Sequence, residues 1–382
     1  MAEVYLIEAL RSPIGVGKPE TGTLHSLLPV DLAARILRAV VERAALDPAR
    51  IDDVILGCVT PMGDQGANIA RLSALQAGFP VEVPGVQLNR MCGSGQQAIH
   101  FAAQAILAGD QDLVLAGGVE MMSRVPLGSD YPESWPQDFP YPLVHQGVSA
   151  EMMAQRWHLT RDALDDFAYR SHLRAAQARN DGAQAGQILP LDVVQGDGSM
   201  AHVEHDQGVR LSPDRARMGQ LKPVFQADGV VTAGNSSQVS DGASAVLLAS
   251  ERAVRTHHLK PRARLAARVV VGSDPTLMLD GPIPATREVL RRAGLSIGDV
   301  DWIEINEAFA CVPLAWQAEI GADPERINPQ GGAIAHGHPL GATGGVLMTK
   351  LVHGLHATGG RYGLQTMCIG HGMATATVIE RQ

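Results

Sequence analysis

Apolar and polar positions follow two rhythms along the chain, and the same succession of rhythms occurs twice. In PVDLAARILRAVVERAALDPARIDDVILGCV, apolar residues recur every three or four positions and then gather into one short run. That pattern predicts an amphipathic helix, a turn and a buried strand. PATREVLRRAGLSIGDVDWIEINEAF repeats it nearer the other end. Downstream of each lies a glycine-rich loop, a long small-residue helix and an apolar strand: NRMCGSGQQAIHFAAQAILAGDQDLVLAGGV first, then GHPLGATGGVLMTKLVHGLHATGGRYGLQTMCIG. Alternating strands and helices predict βαβ crossovers and a mostly parallel sheet in each half.

The stretch between the halves has another texture. SRVPLGSDYPESWPQDFPYPLVHQG carries Pro126, Pro132, Pro136, Pro140 and Pro142, which rules out a continuous helix or central strand and predicts an ordered loop. SAEMMAQRWHLTRDALDDFAYRSHLRAAQARNDG then reads as two helices, with Ser149 and Thr160 as N-caps and Gly182 as a stop. A binding lid or insert is expected here. The termini add a strand each: the apolar run in MAEVYLIEALRSPIG is too short to cross a bilayer, and ATATVIERQ alternates. With no secretory or peroxisomal signal in either, the expectation is a cytoplasmic protein with no membrane partner.

Composition sharpens this outline. The 382 residues are 45% apolar and carry 41 glycines but only 4% aromatics, so close backbone approach outweighs aromatic packing. A net charge of −9 excludes general nucleic-acid binding. The four cysteines, Cys58, Cys92, Cys311 and Cys368, form no CxxC pair, which favours free thiols.

Candidate chemistry gathers in the two glycine-rich loops. Cys92 precedes a helix N-terminus, where the positive helix end is expected to lower a thiol into the range of roughly 3.5–7.5; the alternative is a buried structural cysteine. Cys368 ends an apolar strand in the second half, from which it could move a proton or simply pack. His336 and His338 stand in the second glycine-rich loop, from which a base could reach Cys92; no acidic or cysteine ligand set accompanies them to suggest a metal. Asn306 and Glu307 end a buried strand, where Asn306 could orient a histidine or cap the next helix. Cys58 and Cys311 are assigned to packing. Gly234, Asn235, Ser236 and Ser237 suggest a polar loop beside a ligand, and Arg210, Arg215, Arg217 and Lys222, against Asp214 alone, suggest a phosphate-bearing one or a solvated face.

Taken together, NRMCGSG, NEAFA, GGAIAHGHPLGATGG and TMCIGHG resemble the thiolase family, the acetyl-CoA acyltransferases, over essentially the whole chain. GGVEMMSRVP, QGVSAEMMAQRW and TAGNSSQVSDGA fall in that family's order. The resemblance implies a duplicated α/β thiolase fold of five layers, α-β-α-β-α. Its N-terminal half would be 1–118 with 240–262, an inserted CoA-binding loop domain 119–239, and the C-terminal half 263–382. The assembly would be a homodimer or homotetramer.

By the same carry-over Cys92 is the acylated nucleophile, His338 its base, Cys368 the acid/base at the acetyl α-carbon, and Asn306 the holder of an oxyanion-hole water. A second oxyanion hole would use the N–H groups of Cys92 and Gly370. His145, Arg210 and Ser237 would contact CoA, and Phe309 would line the pantetheine tunnel. Acyl-CoA and CoA are then substrates, with no metal or other cofactor. The implied reaction is thiolytic cleavage of a 3-oxoacyl-CoA, in the degradative direction; an acetoacetyl-CoA-forming thiolase and a non-catalytic acyl-CoA scaffold are the alternatives. A condensing 3-ketoacyl synthase is disfavoured by the second cysteine. Three positions depart from the common pattern: His336 replaces an apolar residue, His371 a glycine, and Gln146 a methionine found in short-chain biosynthetic members.

Overall fold

The computed structural model describes residues 3–382. The first half contributes β1 (Val4–Arg11), α1 (Pro29–Arg43), β2 (Asp53–Gly57), α2 (Ile69–Gln76), β3 (Gly85–Leu88), α3 (Ser94–Ala108) and β4 (Leu113–Met121). A long excursion holding α4 (Gln146–Arg156) and α5 (Arg161–Asn180) leads to β5 (Ser240–Ser250). The second half follows with β6 (Ala263–Gly272), α6 (Pro282–Ala293), β7 (Trp302–Ile305), α7 (Cys311–Ile320), α8 (Leu340–Thr358), β8 (Tyr362–Ile369) and β9 (Met373–Arg381).

The predicted duplication is plain in this order. α1 and α6 both start on a proline, which has no N–H to lose at a helix start, and each buries one apolar stripe: Leu32, Ile36 and Val40 in α1, Ile283, Val289 and Leu290 in α6. α3 and α8 are buried almost all round.

The sheet runs β7-β8-β9-β6-β1-β5-β4-β2-β3, with Gly15–Val16 paired to β5. Only β7–β8, β2–β3 and β2–β4 pair in parallel; the other neighbours are antiparallel, so the expected mostly parallel sheet is a mixed one. The reason lies in the last strand of each half. β9 follows β8 after the turn Gly370–Gly372, too short for a crossover, and β5 returns only after the excursion.

Three cores define the layers. One packs α1 and α2 on the first half of the sheet, one packs α6 and α7 on the second, and the third joins both halves through Ala98, Ile99 and Ala102 of α3 and Met348, Leu351 and Val352 of α8. The order α-β-α-β-α follows. The two central helices touch backbone to backbone: a Cβ on Gly95 would lie 2.7 Å from the Gly341 carbonyl oxygen. Lys350 of α8 is buried, its Nζ 2.7 Å from the Glu304 carboxylate of β7.

In the excursion, Pro126–Pro142 forms neither helix nor strand, as expected. Thr160 caps α5, its hydroxyl accepting from Ala163 N–H at 3.2 Å. Ser149 does not cap α4. The helix begins three residues earlier, His145 accepts from Gly147 N–H at 3.1 Å, and Ser149 donates instead to Thr276 O. A histidine cap is outside the usual Ser, Thr, Asp and Asn set, so sequence preference pointed to the serine.

Candidate active site

Both glycine-rich loops end at the same place, where α3 and α8 begin in the central layer. Cys92 stands just before Gly93, the N-cap of α3, and is 5% exposed. Its loop is held by Ser94, whose hydroxyl donates to Met91 O at 2.6 Å and accepts from Arg90 N–H at 2.9 Å. Met91 takes φ +47°, a left-handed conformation that costs a non-glycine residue about 1 kcal/mol or more.

The Cys92 sulfur faces the N–H of Gly370, its own N–H and the side-chain amide of Gln146. These donors favour a thiolate, but burial outweighs them and pushes the thiol up to about 11. The lowering expected at the helix end is therefore reversed by burial.

His338 is held from three sides. Its N–H reaches Gln238 O at 3.2 Å and the Ser240 hydroxyl at 3.1 Å. The preceding Gly337 has φ +114°, where any side chain would also strike Ser240. On the ring, Nδ1 lies 2.7 Å from the Thr343 hydroxyl, which itself donates to Pro339 O at 2.8 Å. With its hydrogen committed there, the Thr343 oxygen must accept, so Nδ1 carries the ring proton and Nε2 keeps its lone pair. Asn306 Nδ2 lies 3.3 Å from that Nε2. Burial depresses His338 to about 4, so the resting pair is a thiol and a neutral imidazole.

Asn306 is not a helix cap. α7 starts at Cys311 after Ala310, and the Asn306 Oδ1 is buried with no partner among the described residues. Glu307 is structural, accepting from Ser171 Oγ at 2.7 Å, Asn328 Nδ2 at 2.8 Å and Ile334 N–H at 3.2 Å. His336 cannot reach Cys92: its Nδ1 lies 2.8 Å from Asp206, which also holds Arg11, and its Nε2 lies 2.7 Å from Gln330 O. Cys368 is buried at the end of β8, its thiol raised by burial first and then by the nearby Cys92. Cys58 and Cys311 are buried among apolar neighbours.

A cavity of about 630 Å³ opens onto this centre, and Cys92, His338, Gly370, His145, Ser237 and Phe309 all line it. Cys368 and Asn306 are set behind that lining. His145 stacks on Phe225 with ring centroids 5.2 Å apart, and Phe225 meets Phe309 edge-on at 6.0 Å. Arg210 lies elsewhere, on a neighbouring hollow of about 510 Å³ with Arg217 and Gly234. The basic run is less free than its sequence suggested, because α5 brings Asp162 and Asp166 to within 3.1 Å and 2.6 Å of Arg215. Among the described residues no cluster of His, Cys, Asp or Glu could hold a metal, and no helix is long and apolar enough to cross a membrane.

Sequence reasoning missed Thr343, which fixes the tautomer of His338, and Glu120. The Glu120 carboxylate accepts from Val59 N–H and Gly341 N–H, both at 2.9 Å, and so ties the first half to the start of α8. A lone acid in the apolar run LVLAGGVEMM was the available signal for Glu120.

Comparison with known proteins places the whole chain. Residues 4–252 match the model of the thiolase N-terminal domain and residues 259–381 that of the thiolase C-terminal domain. A steroid 3-ketoacyl-CoA thiolase of Mycobacterium tuberculosis is 46% identical, covering 100% of this chain and 95% of the relative. A 3-oxoadipyl-CoA/3-oxo-5,6-dehydrosuberyl-CoA thiolase of Escherichia coli is 43% identical over 100% of both. The crystal structure of the Bacillus anthracis acetyl-CoA acetyltransferase superposes with a TM-score of 0.92 at 36% identity, covering 100% of this chain and 99% of that one.

Proposed function

The chain belongs to the thiolase family and is an acyltransferase, and from that premise we propose that it cleaves 3-oxoacyl-CoA thioesters with CoA in the degradative direction, carrying the shortened acyl group on Cys92. The observation that carries this reading is the convergence of the Cys92 sulfur, the His338 ring and the Gly370 N–H on one cavity.

Cys92 attacks the 3-keto carbon as its proton passes to His338 Nε2. Because the resting pair is neutral, this transfer accompanies the attack. The bond between the α and β carbons breaks, and Cys368 protonates the departing acetyl-CoA enolate. His338 gives up its proton to restore the Cys368 thiol, and as a neutral ring again it deprotonates the CoA thiol, which attacks the acyl-Cys92 thioester. The Cys92 thiolate that leaves takes that proton back from His338 as the shortened acyl-CoA is released. Charge on the thioester oxygens is met by the Gly370 and Cys92 N–H groups and by His338 with an Asn306-held water, each donor worth about 2.7–4 kcal/mol. The steps balance without redox chemistry, so CoA is a substrate and no cofactor is invoked.

His145, Ser237 and Phe309 line the route of the pantetheine arm, and Arg210 offers a cation for the phosphate-bearing end. Beyond the pantetheine-lining residues the same cavity extends to Leu127, Tyr131 and Trp135, and with Gln146 at the sulfur this favours degradation of longer acyl chains over acetoacetyl-CoA synthesis. The open edge of β3, flanked by exposed Leu72, Leu75 and Val86, suits pairing with a second copy in a homodimer or dimer of dimers. Incubating the purified protein with CoA and either acetoacetyl-CoA or a longer 3-oxoacyl-CoA tests the reaction; failure to form acetyl-CoA from every substrate overturns it.

A further inference from the structure

The proline-rich loop supplies one wall of the cavity, and that wall is aromatic. Tyr131 and Trp135 both line it, although they are 53% and 45% exposed. Trp135 meets His371 edge-on, with ring centroids 6.1 Å apart. His371 occupies the turn between β8 and β9 with φ +63°, where a glycine would be unstrained. An imidazole is thus held at a conformational cost of about 1 kcal/mol or more, directly after the Gly370 whose N–H faces the Cys92 sulfur. No protein group hydrogen-bonds the His371 ring among the described residues, and it fills no core: its visible environment is the cavity and Trp135.

The charges of the lining are one-sided. Lysine and arginine are absent from it, and its one carboxylate is Asp130, whose Oδ1 is buried with no donor among the described residues. Tyr131 shares the lining with Asp130 and Cys92: burial raises its hydroxyl first, and a Cys92 thiolate and the Asp130 carboxylate add to the effect. The chamber beside the nucleophile therefore has flat aromatic faces awaiting cover, no cation, and one unmet acceptor.

A straight aliphatic chain would cover these rings only in part. A carboxylate at the far end of the acyl group would be desolvated beside Asp130 with no cation to meet it. A ring-bearing group covers the faces of Tyr131, Trp135 and His371 together, and a hydroxyl on such a ring would satisfy Asp130. From this geometry we infer that the acyl group accepted by Cys92 is uncharged and ring-bearing, selected by Tyr131, Trp135, His371 and Asp130. The inference rests on the thiolytic reading above.

The test compares kcat/KM for thiolysis of acetoacetyl-CoA, 3-oxo-3-phenylpropanoyl-CoA as the ring-bearing probe, and 3-oxoadipyl-CoA as the anionic one. The phenyl substrate is expected to exceed 3-oxoadipyl-CoA by about 100-fold, the size expected for an uncompensated charge. Trp135→Ala should lower kcat/KM for the phenyl substrate about tenfold more than for acetoacetyl-CoA. Asp130→Arg should shift the ratio of the other two toward 3-oxoadipyl-CoA. Equal turnover of the phenyl and adipyl substrates by the unmodified protein overturns the inference, as does a Trp135→Ala loss equal on all three substrates in protein with an unchanged melting temperature. Turnover of no substrate, acetoacetyl-CoA included, overturns the thiolytic reading itself and is thereby told apart from a failure of selectivity.

Discussion

The loops that open α3 and α8 occupy the same place in the two halves of the molecule, yet one presents a thiol and the other an imidazole. Local backbone does not explain the difference, since both loops enter a buried helix of the central layer. The partner half does. The sulfur of Cys92 meets the Gly370 N–H from the β8–β9 turn of the second half, and the α8 loop is tied by its Gly341 N–H to Glu120 of the first. Duplication built two equivalent loops, and facing them across the central layer made them a nucleophile and its base.

The sharpest way to break this division of labour is to remove the thiol. Cys92→Ser should lower turnover by about 10⁴-fold or more and leave no thioester adduct. Cys368→Ala should still permit acylation of Cys92 by an acyl-CoA while losing carbon-carbon bond chemistry. Intact and peptide mass spectrometry of the trapped protein decides between them: an acyl group found on Cys58 or Cys311 would end the assignment.

Removing the base is the next largest effect. His338→Ala should cost about 10²–10⁴-fold in kcat/KM. In the unmodified protein the acid limb of the kcat/KM profile should fall near pH 4 rather than 6.5, because burial holds His338 down and only its neutral form accepts the thiol proton. An acid limb at the ordinary histidine value would contradict the buried, neutral ring.

Behind the first loop, α3 carries a buried imidazole with no chemical task. His100 is 1% exposed, contacts Thr377 of β9 at 2.7 Å and is depressed to about 3, chiefly by burial. Its folded value lies below the unfolded one, so between these pH values the unfolded chain binds the extra proton. Its contribution is complete above about pH 6.5 and is lost as the pH falls toward 3, on the order of 3–5 kcal/mol in all. Denaturant midpoints at pH 7.5 and 5 should show the loss, and His100→Gln should flatten the slope.

How far the sequence foretold this arrangement depends on whether a feature is local. The repeat, the helices, the proline-rich loop and the family resemblance lie in runs of neighbouring residues, and all were legible. The strand directions were not, because the short β8–β9 turn and the long return to β5 look like breaks in the same strand rhythm. The state of Cys92 was misjudged for a related reason: the helix N-terminus is visible in NRMCGSG, whereas the burial that outweighs it comes from residues far along the chain. His336 looked like a second base beside His338, and only the fold turns it toward Asp206 and Gln330.

Thr343 gives the finest test of the comparison, because the α3 loop has no counterpart to it. Its hydroxyl donates to Pro339 O and accepts from His338 Nδ1, so it selects the tautomer that leaves Nε2 free to accept a proton. Thr343→Val keeps the shape and removes the acceptor; the ring can then place its proton on Nε2, where it cannot act as a base. The expected result is about a tenfold fall in kcat with little change in KM, and recovery in Thr343→Ser, which restores the hydroxyl. A merely structural role predicts a different pattern, with thermal stability falling in step with kcat. If Thr343→Val keeps full kcat, the tautomer is fixed by Asn306 alone, whose amide already faces Nε2 at 3.3 Å.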